Sequence, residues 1–353
     1  MLTTNQKNKA VVWDFWQKMN HTDPKNIAKV IQEALHEDVN WNGSHPLNQL
    51  QGTDALITGF WQPLLHSFPD LKRNAHIFMG GQSGEEAWVS GLGYLTGTFT
   101  KNWLGIPATG EKTNIHFGQF YLMQEGKIAE SYVIFDLLAV MRQAGFQVLP
   151  PALGAEGGKV PAPHTGDGVL LTEQDALESR KTGQLVEAII QGLLRYDCRA
   201  KDGSIRSMEQ EHYWHPQMHW YGPTGIGSCF SFEEFVDFQL QPWMHSFGEW
   251  PDLDEDNGRV IGLTEGDYLA EGQYASLGVW DTPFSLHHEA YLGFPATGKL
   301  LTMRDFDWYR REGNLLIQNW VPIDMIDLFK QMGVDLFERM RHQIEQQSVG
   351  NWW

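Results

Sequence analysis

Residues 104–110 read Leu-Gly-Ile-Pro-Ala-Thr-Gly, and residues 292–298 read Leu-Gly-Phe-Pro-Ala-Thr-Gly. Other matches flank this pair in the same order: His36 with His215, Trp41 with Trp220, Gly43 with Gly222, the His-Ser-Phe triplet 66–68 with 245–247, and Asp136 with Asp324. A unit of about 150 residues that occurs twice is too long for a solenoid, whose period is about 20 to 50 residues. The repeat predicts two fused globular domains.

The copies predict the domain boundaries. We expect a first domain over residues 1–149, a linker over residues 150–171 and a second domain over residues 172–353. The linker segment is rich in Pro and Gly and has no hydrophobic periodicity. Each domain is long enough to bury a core without disulfides or metals.

Composition limits the classes of partner. The 353 residues carry a net charge of -18, which argues against nucleic acid and against anionic membrane surfaces. The N-terminus lacks the apolar segment of a signal peptide, and no apolar run reaches the length of a membrane span, so we expect a cytoplasmic protein. Cys198 and Cys229 are too few for a disulfide framework or a thiolate zinc site, so we interpret them as free thiols.

Each copy has the same predicted order of elements, namely helices, a short strand, a helix and an antiparallel meander. In the second copy the later strands are predicted over 259–263, 268–281, 284–292, 301–310 and 315–321, and the final helix over 325–346. In the first copy, a turn centred on Gly126 pairs Gln119 with Val133 and Phe117 with Phe135. The predicted fold class is α+β, with helices on one face of a curved antiparallel sheet.

An ordered set of motifs resembles a known family. The first copy contains Gln124-Glu125-Gly126-Lys127 at a turn, Tyr132, Asp136 and Gln143-Ala144-Gly145, and the second contains Arg311-Glu312-Gly313-Asn314, Trp320, Asp324 and Gln331-Met332-Gly333. With Ser67-Phe68-Pro69-Asp70 and the two Pro-Ala-Thr-Gly loops, this pattern is similar to the SnoaL-like polyketide cyclases, in two tandem copies.

The resemblance implies an NTF2-like cone, which is a curved sheet wrapped by helices around one apolar pocket. It also implies an intramolecular aldol ring closure without a cofactor, by an Asp on the last strand and a His on the strand before it. The Asp position falls on Val133 and Val321, and the His position falls on Gln119 and Asp307. Family members dimerise through their sheets, so the resemblance implies an internal pseudo-dimer, with a further homodimer as an alternative.

The predicted pocket face of the second copy carries two acidic residues. Asp305 and Asp307 lie two positions apart on one strand, so their side chains point the same way, and Asn319 lies on the opposite strand. Two carboxyl groups held close together in an apolar cavity raise the pKa of one of them, which yields an acid and a base near neutral pH. The alternative is that one of them is solvated or paired with Arg304 or Arg310.

We predict Asp307 as the principal acid–base residue, Asp305 as its modulator and His288 as a second proton carrier. The predicted substrate-binding residues are Asn319 and Tyr221, which orient the substrate, Trp220 and Trp320, which form walls, and Trp41 and Gln119 in the first copy. For Trp41 and Trp220 a core position is an equal alternative. The first copy's pocket face is almost apolar, which favours binding or a scaffold role there.

Several polar residues have competing interpretations. His212, His215 and His219 would share a face of a helix and bind a divalent metal with a carboxylate, but the strand predicted over 218–221 breaks that spacing. His287 and His288 are alternative metal or proton-transfer residues. In both copies a strand residue pairs with the Asp that precedes a helix, His116 with Asp136 and Arg304 with Asp324, which favours a structural role for Asp136 and leaves Asp324 open.

The prediction is a cofactor-independent, metal-free enzyme that transfers protons on a small hydrophobic or ring-containing molecule, by cyclisation, isomerisation, elimination or hydrolysis. The alternatives are a small-molecule binding protein without turnover and a metal-dependent hydrolase or lyase. Fold alone does not separate these functions, because NTF2-like cones bind as readily as they catalyse.

Overall fold

Short polar side chains fix the helix starts in the first copy. Thr3 and Gln6 form a reciprocal capping box, and Asp23 accepts a hydrogen bond of 2.8 Å from the backbone N–H of Lys25, next to Pro24. The elements are α1 (Thr4–His21), a 3₁₀ turn (Pro24–Asn26), α2 (Ile27–Ala34), β1 (Leu35–Gly43), β2 (Asn48–Gln51), α3 (Thr53–Leu56), a π-helical turn (Ile57–Trp61), α4 (Gln62–Ser67), β3 (Lys72–Ser83), β4 (Glu86–Thr98), β5 (Lys112–Gln124), β6 (Lys127–Phe135) and α5 (Leu137–Gln143).

The second copy repeats this order. The structure is a computed structural model that describes residues 2–197, 205–248, 258–264 and 266–350. The elements of the second copy are α6 (Ala176–Leu193), 3₁₀ turns (Ile205–Met208 and Gln210–His212), β7 (Trp214–Tyr221), β8 (Ser228–Cys229), α7 (Phe232–Phe235), a π-helical turn (Val236–Leu240), α8 (Gln241–Phe247), β9 (Arg259–Ile261), β10 (Leu263–Thr264), β11 (Asp267–Tyr268), β12 (Ala270–Glu271), β13 (Tyr274–Leu286), β14 (Leu300–Glu312), β15 (Leu315–Trp320), α9 (Met325–Gln331) and α10 (Leu336–Gly350).

Each copy builds one sheet. The first sheet has the order β2-β1-β6-β5-β4-β3, and the second has the order β12-β13-β14-β15-β7-β8, with β9 added beside β13. In both sheets the first long strand runs parallel to the last, β1 beside β6 and β7 beside β15, and the other strand pairs are antiparallel. The predicted pairs Gln119 with Val133 and Phe117 with Phe135 are confirmed. The α+β class with two curved, helix-wrapped sheets is also confirmed.

Three predicted elements differ from the structure. The break expected between strands over 268–281 and 284–292 is absent, because two bulges near Thr282 and Pro283 let β13 (Tyr274–Leu286) continue its pairing with β14. Tyr268 belongs instead to β11, and Ala270 and Glu271 belong to β12. The final helix is two helices, since Gly333 at φ 87° ends the first after Gln331. Strand β2 was not predicted; it pairs only with β1 at the sheet edge.

The outer faces of the two sheets pack against each other. Phe120 of β5 lies 4.9 Å from Phe306 and 5.1 Å from Trp308 of β14, measured between ring centroids. Gly118 is required here, because a Cβ on it would lie 2.8 Å from the Trp308 ring. At the same interface the hydroxyl groups of Ser90 and Ser276 are 2.8 Å apart. The copies therefore associate through the sheets, as an internal pseudo-dimer would.

Two aspartates join the copies in a reciprocal way. Asp136 caps α5 through Ala139 and accepts hydrogen bonds from the backbone N–H and the hydroxyl of Thr224 in the second copy. Asp324 caps α9 through Asp327 and accepts a 2.7 Å hydrogen bond from the backbone N–H of His45 in the first copy. The structural role predicted for Asp136 is confirmed, and Asp324 has the same role.

A buried ion pair joins three parts of the chain. Lys9 of α1 forms a salt bridge with Glu271 of β12 and donates a 2.6 Å hydrogen bond to the carbonyl oxygen of Leu170 in the linker segment. Glu271 also accepts hydrogen bonds from the backbone N–H of Gly80 and from Asn5. Both charged side chains are almost fully excluded from water. The pair therefore stabilises the fold, and removing one partner is costly because the other charge stays buried without a counter-charge.

Replacing Glu271 with alanine is expected to lower the free energy of unfolding by about 3 to 5 kcal/mol, because it leaves the Lys9 ammonium group buried without a counter-charge. Urea unfolding followed by tryptophan fluorescence measures this loss. The control is Lys18→Ala, which removes an exposed pair with Glu33 and is expected to change stability very little. A loss in Glu271→Ala no larger than in the control would contradict the assignment.

A candidate active site in the second copy

A cavity of about 450 Å³ lies between the inner face of the second sheet and the helices that cover it. This volume is in the range of pockets that hold small molecules. The side chains around it are Ile189, Ile190, Leu193, Leu194, Gln210, Trp214, Trp220, Phe235, Gln239, Leu240, Trp243, Met244, Leu263, Leu277, Val279, Pro283, Phe284, Met303, Asp305, Asp307, Tyr309, Asn319, Val321 and Ile323. The wall is mostly apolar and aromatic, and its polar residues are Gln210, Gln239 and a group on β14 and β15.

Strand alternation places that polar group. Asp305, Asp307 and Tyr309 occupy every second position of β14 and line the cavity, while Phe306 and Trp308 between them enter the interface between the sheets. Tyr309 pairs with Asn319 of β15 across the hairpin, and Asn319 also lines the cavity. Alternation along the strands predicted that Asp305, Asp307 and Asn319 share the pocket face, and all three side chains line the cavity.

Asp307 has hydrogen-bond donors that stabilise its charged form. The Asn319 side-chain amide donates to Asp307 Oδ1 at 2.9 Å, and the hydroxyl group of Tyr309 lies close enough to lower the pKa of Asp307. Burial nevertheless raises the pKa of Asp307 to about 6, and these two groups offset only part of the rise. Near neutral pH this carboxyl group can therefore both give up and take a proton.

Asp305 lacks comparable partners. Its Oδ1 is buried and has no hydrogen-bond partner among the described residues. Burial, followed by the neighbouring charge of Asp307, raises the pKa of Asp305 well above its usual range, and the backbone N–H of Phe306 opposes this only in part. The two carboxyl groups therefore favour different protonation states at one pH, which suits a general acid beside a general base.

The corresponding interior of the first copy is filled. Hairpin register makes Phe117 and Gln119 the counterparts of Asp305 and Asp307, and these two side chains are 0 % and 5 % exposed. Trp16 of α1 lies against Phe117 and donates a 2.8 Å hydrogen bond to the hydroxyl of Tyr121. It occupies space opened by Gly91, where a Cβ would lie 2.4 Å from the Trp16 ring. Aromatic side chains therefore take the place of a ligand.

Two predicted binding residues of the second copy do not line the cavity. Tyr221 and Trp320 directly follow Trp220 and Asn319, and adjacent residues on a strand point to opposite faces. Their rings lie 5.5 Å apart in the packing between the sheets, and Trp320 donates to the carbonyl oxygen of Pro161. The prediction that they contact substrate is therefore corrected to an interface position.

Three further predicted site residues also lie away from the cavity. His288 follows β13, and its Nδ1 lies 3.2 Å from the carbonyl oxygen of Leu286. Trp41 stacks on Phe60 with ring centroids 4.7 Å apart in the first core. Gln119 donates to Ser131 and accepts from Arg73, each at 3.0 Å. Trp41 and Gln119 therefore belong to the filled interior of the first copy.

The histidines do not come together. His212 lies in a 3₁₀ turn, His215 and His219 lie on β7, and His219 contacts the hydroxyl of Tyr221. Within the described ranges no group of three or more His, Cys, Asp or Glu side chains is arranged to hold a metal. Cys229 is buried as a free thiol, and Cys198 lies outside the described residues. No helix of the described ranges is long and apolar enough to cross a bilayer.

Most of the residues that line the cavity were not identified from the sequence. Trp214 comes from the start of β7, which is longer than expected, and Gln239 and Trp243 come from the helical segment over 232–247. The spacing of Phe235, Gln239, Trp243 and their neighbours follows one helix face, so periodicity over 235–244 was the signal that pointed to them. Val279 and Phe284 were missed because β13 was divided in two.

Replacing Asp305 with asparagine is expected to raise the free energy of unfolding at pH 7 by about 1 to 3 kcal/mol, because asparagine stays neutral in the folded and the unfolded chain, whereas Asp305 must hold a proton or bury a charge at this pH. The raised pKa means that the folded protein binds this proton more tightly than the unfolded chain, so wild-type stability falls as the pH rises above about 4. The gain should therefore vanish at pH 4 or below.

Denaturant titrations between pH 4 and pH 8 measure this difference. Asp237→Asn, at an exposed position of the same copy, serves as the control and should show no such pH dependence. An Asp305→Asn protein that is less stable than wild type at pH 7 would contradict the buried, unpaired assignment.

A match to a family model agrees with the resemblance seen in the sequence. Residues 10–144 match the model of the SnoaL-like polyketide cyclase family. A SnoaL-like polyketide cyclase structure from Jannaschia sp. CCS1 has 20 % identity and a TM-score of 0.35, covering 43 % of this chain and 98 % of that chain. A polyketide cyclase structure from Xanthomonas campestris pv. campestris has 18 % identity and a TM-score of 0.34, covering 40 % and 100 % respectively.

IdmH, a polyketide cyclase from Streptomyces antibioticus, has 16 % identity and a TM-score of 0.33, covering 39 % of this chain and 99 % of that chain. No curated protein matches this chain in sequence. The first copy, over residues 10–144, is therefore similar to the SnoaL-like polyketide cyclase family.

Proposed function

We propose that the cavity of the second copy is the active site of an enzyme that transfers protons on a small hydrophobic or ring-containing molecule without a cofactor. The reaction class is cyclisation, isomerisation, elimination or hydrolysis. The observation that carries this proposal is the pair Asp305 and Asp307, which lies on one wall of an apolar cavity of about 450 Å³. Buried carboxyl groups with raised pKa values in a cavity are typical of acid–base sites.

The two carboxyl groups have different roles in this proposal. Asp307, with a pKa raised to about 6, removes a proton from the substrate, and the amide of Asn319 holds its carboxylate in place. Asp305 has the higher pKa and returns a proton or donates a hydrogen bond to the site where negative charge develops. Tyr309, whose pKa is raised by burial, stays neutral and supports Asp307 as a hydrogen-bond donor.

The rest of the cavity binds the apolar part of the substrate. Trp214 and Trp220 of β7 and Trp243 of α8 present large aromatic surfaces to the same cavity. Such surfaces bury rings well and keep water away from the reacting atoms, which strengthens electrostatic interactions there. Shape and apolar contact would therefore orient the substrate, while Asp305 and Asp307 carry out the proton transfer.

The first copy has a supporting role in this proposal. Its interior is filled by Trp16, Phe117 and Tyr121, and its outer sheet face supports the second sheet. The family resemblance implies a catalytic Asp at Val133 and Val321, and valine has no proton to transfer. Asp307 lies at the position that the resemblance implies for the catalytic His, so the second copy has an acid–base group of its own.

A binding protein without turnover is the second candidate function. The observation that favours it is Val321, which lines the cavity where the resemblance implies the catalytic Asp. A binder needs the apolar wall but does not need Asp307. A variant at Asp307 therefore distinguishes an enzyme from a binding protein.

Asp307→Asn is expected to lower kcat by at least about 100-fold on a substrate found by screening ring compounds for thermal stabilisation, because general base catalysis contributes on the order of 10² to 10⁴. The wild-type rate should rise with pH through about 6, because the ionised carboxylate is the active form. Steady-state kinetics between pH 5 and pH 8 measure both effects.

The control is Asp237→Asn, which should match wild type. Leu277→Trp, which fills the cavity from β13, should abolish stabilisation by the same compounds. Unchanged kcat in Asp307→Asn would overturn the catalytic role, and binding without turnover in wild type would favour the second candidate.

A further inference from the structure

The charge balance of the cavity is one-sided. Asp305 and Asp307 lie on its wall, and among the described residues that line it there is no Lys, Arg or His. The remaining titratable group on the wall is Tyr309, with Tyr268 close enough to influence it. The residues contributed by α6, α7, α8 and β13 are uncharged. No described side chain of the wall can therefore neutralise an ionised Asp305.

Other buried carboxylates of this protein do have partners. Glu271 is paired with Lys9 and accepts three hydrogen bonds. Asp324 accepts from the backbone N–H groups of His45 and Asp327 and contacts Arg304 at 3.3 Å. A buried charge left without such partners is expensive, so folded proteins pair it or hydrogen-bond it. Asp305, which lies on a cavity, is the exception among these three.

The aromatic side chains that line the cavity are suited to bind a positively charged group. Trp214, Trp220, Phe235, Trp243 and Phe284 surround the same space. Aromatic ring faces attract ammonium groups, most strongly where water is excluded. A group that is at once cationic and attached to apolar atoms would satisfy both the rings and the carboxylates.

The first copy shows how this fold holds a cation. The Arg73 guanidinium group lies 4.4 Å from the ring centroids of both Trp16 and Phe117 and donates to Gln119 at 3.0 Å. Gln119 is the counterpart of Asp307. The first interior therefore contains its own cation between aromatic rings, while the second has rings and two acids and no cation among its described lining residues.

We propose that the ligand of the second cavity is a hydrophobic organic cation, a protonated amine on a ring or an apolar chain, whose ammonium group binds between Asp305 and Asp307. This inference rests on the proposed active site and names its substrate class. The net charge of -18 also favours the approach of cations over anions. Ligands that carry a carboxylate or a phosphate are excluded by like-charge repulsion.

The amine changes how the two acids divide their work. A bound ammonium group stabilises the ionised form of both carboxyl groups, so Asp305 loses its proton when the amine binds. Asp305 then anchors the cation, and Asp307 remains next to Asn319 for proton transfer. Binding of the amine should therefore release protons to the solvent.

The test uses three matched probes, namely 1-naphthylmethylamine, 1-naphthylmethanol and 1-naphthoic acid. Isothermal titration calorimetry of the full chain at pH 5.0 and pH 7.5, in buffers of different ionisation enthalpy, gives affinity and proton release. The amine is expected to bind at least about tenfold more tightly than the alcohol at pH 7.5, a difference of about 1.4 kcal/mol, and the acid not measurably. The amine's affinity should rise with pH, whereas the alcohol's should stay constant.

Variants separate this inference from the proposed active site. Asp305→Asn should weaken amine binding about tenfold or more and leave alcohol binding unchanged, with Asp237→Asn as the control. Leu277→Trp, or Val279→Phe if the first variant does not fold, should abolish binding of both probes. Equal affinity for alcohol and amine, with no effect of Asp305→Asn, would overturn the cationic ligand but keep the cavity. Binding that survives the cavity-filling variants would contradict the proposed site as well.

Discussion

The packing of the two sheets against each other constrains the rest of the molecule. Phe120, Phe306 and Trp308 meet in this interface, and Gly118 lets the backbone approach the Trp308 ring. Successive side chains on a strand point to opposite faces of the sheet. The neighbours of each residue in the interface therefore lie on the inner face, towards the helices of the same copy. The interface between the copies thus decides which side chains of β14 and β15 can meet a ligand.

The two copies use their interiors differently. A protein interior is packed to the density of an organic crystal, so a space that holds Trp16 and Phe117 cannot also hold a ligand. In the second copy, α6 contributes Ile189 and Ile190 to the wall, and the position of Phe117 is taken by Asp305. The first copy has a filled core, and the second copy has a cavity.

The charged groups that stabilise the fold differ from those of the candidate site in the partners that they have. Lys9 pairs with Glu271 between the copies. Asp324 pairs with Arg304 within the second copy and joins the first copy by accepting a hydrogen bond from the backbone N–H of His45. Asp305 is only partly buried and lies on the wall of a cavity, but its Oδ1 is buried and has no hydrogen-bond partner among the described residues. The free energy lost by such a group is recovered when a ligand provides the missing interaction, which is why unpaired buried carboxyl groups point to function.

Much of the fold follows from patterns that are local in sequence. The Gly126 hairpin determined the register of β5 and β6, and alternation predicted that Asp305, Asp307 and Asn319 share a face. The strand end predicted near Thr282 and Pro283 was wrong. A strand tolerates bulges at such residues when its partner strand continues, and β14 continues here.

The sequence by itself determined the repeated order of motifs, the fold class and the face of the sheet on which the acids lie, because order, spacing and alternation are properties of the chain. Only the tertiary structure decided that the first interior is filled, that the second is open, and that Tyr221 and Trp320 belong to the interface. These outcomes depend on side chains from helices and strands far apart in the sequence competing for one volume, and no local pattern records that competition.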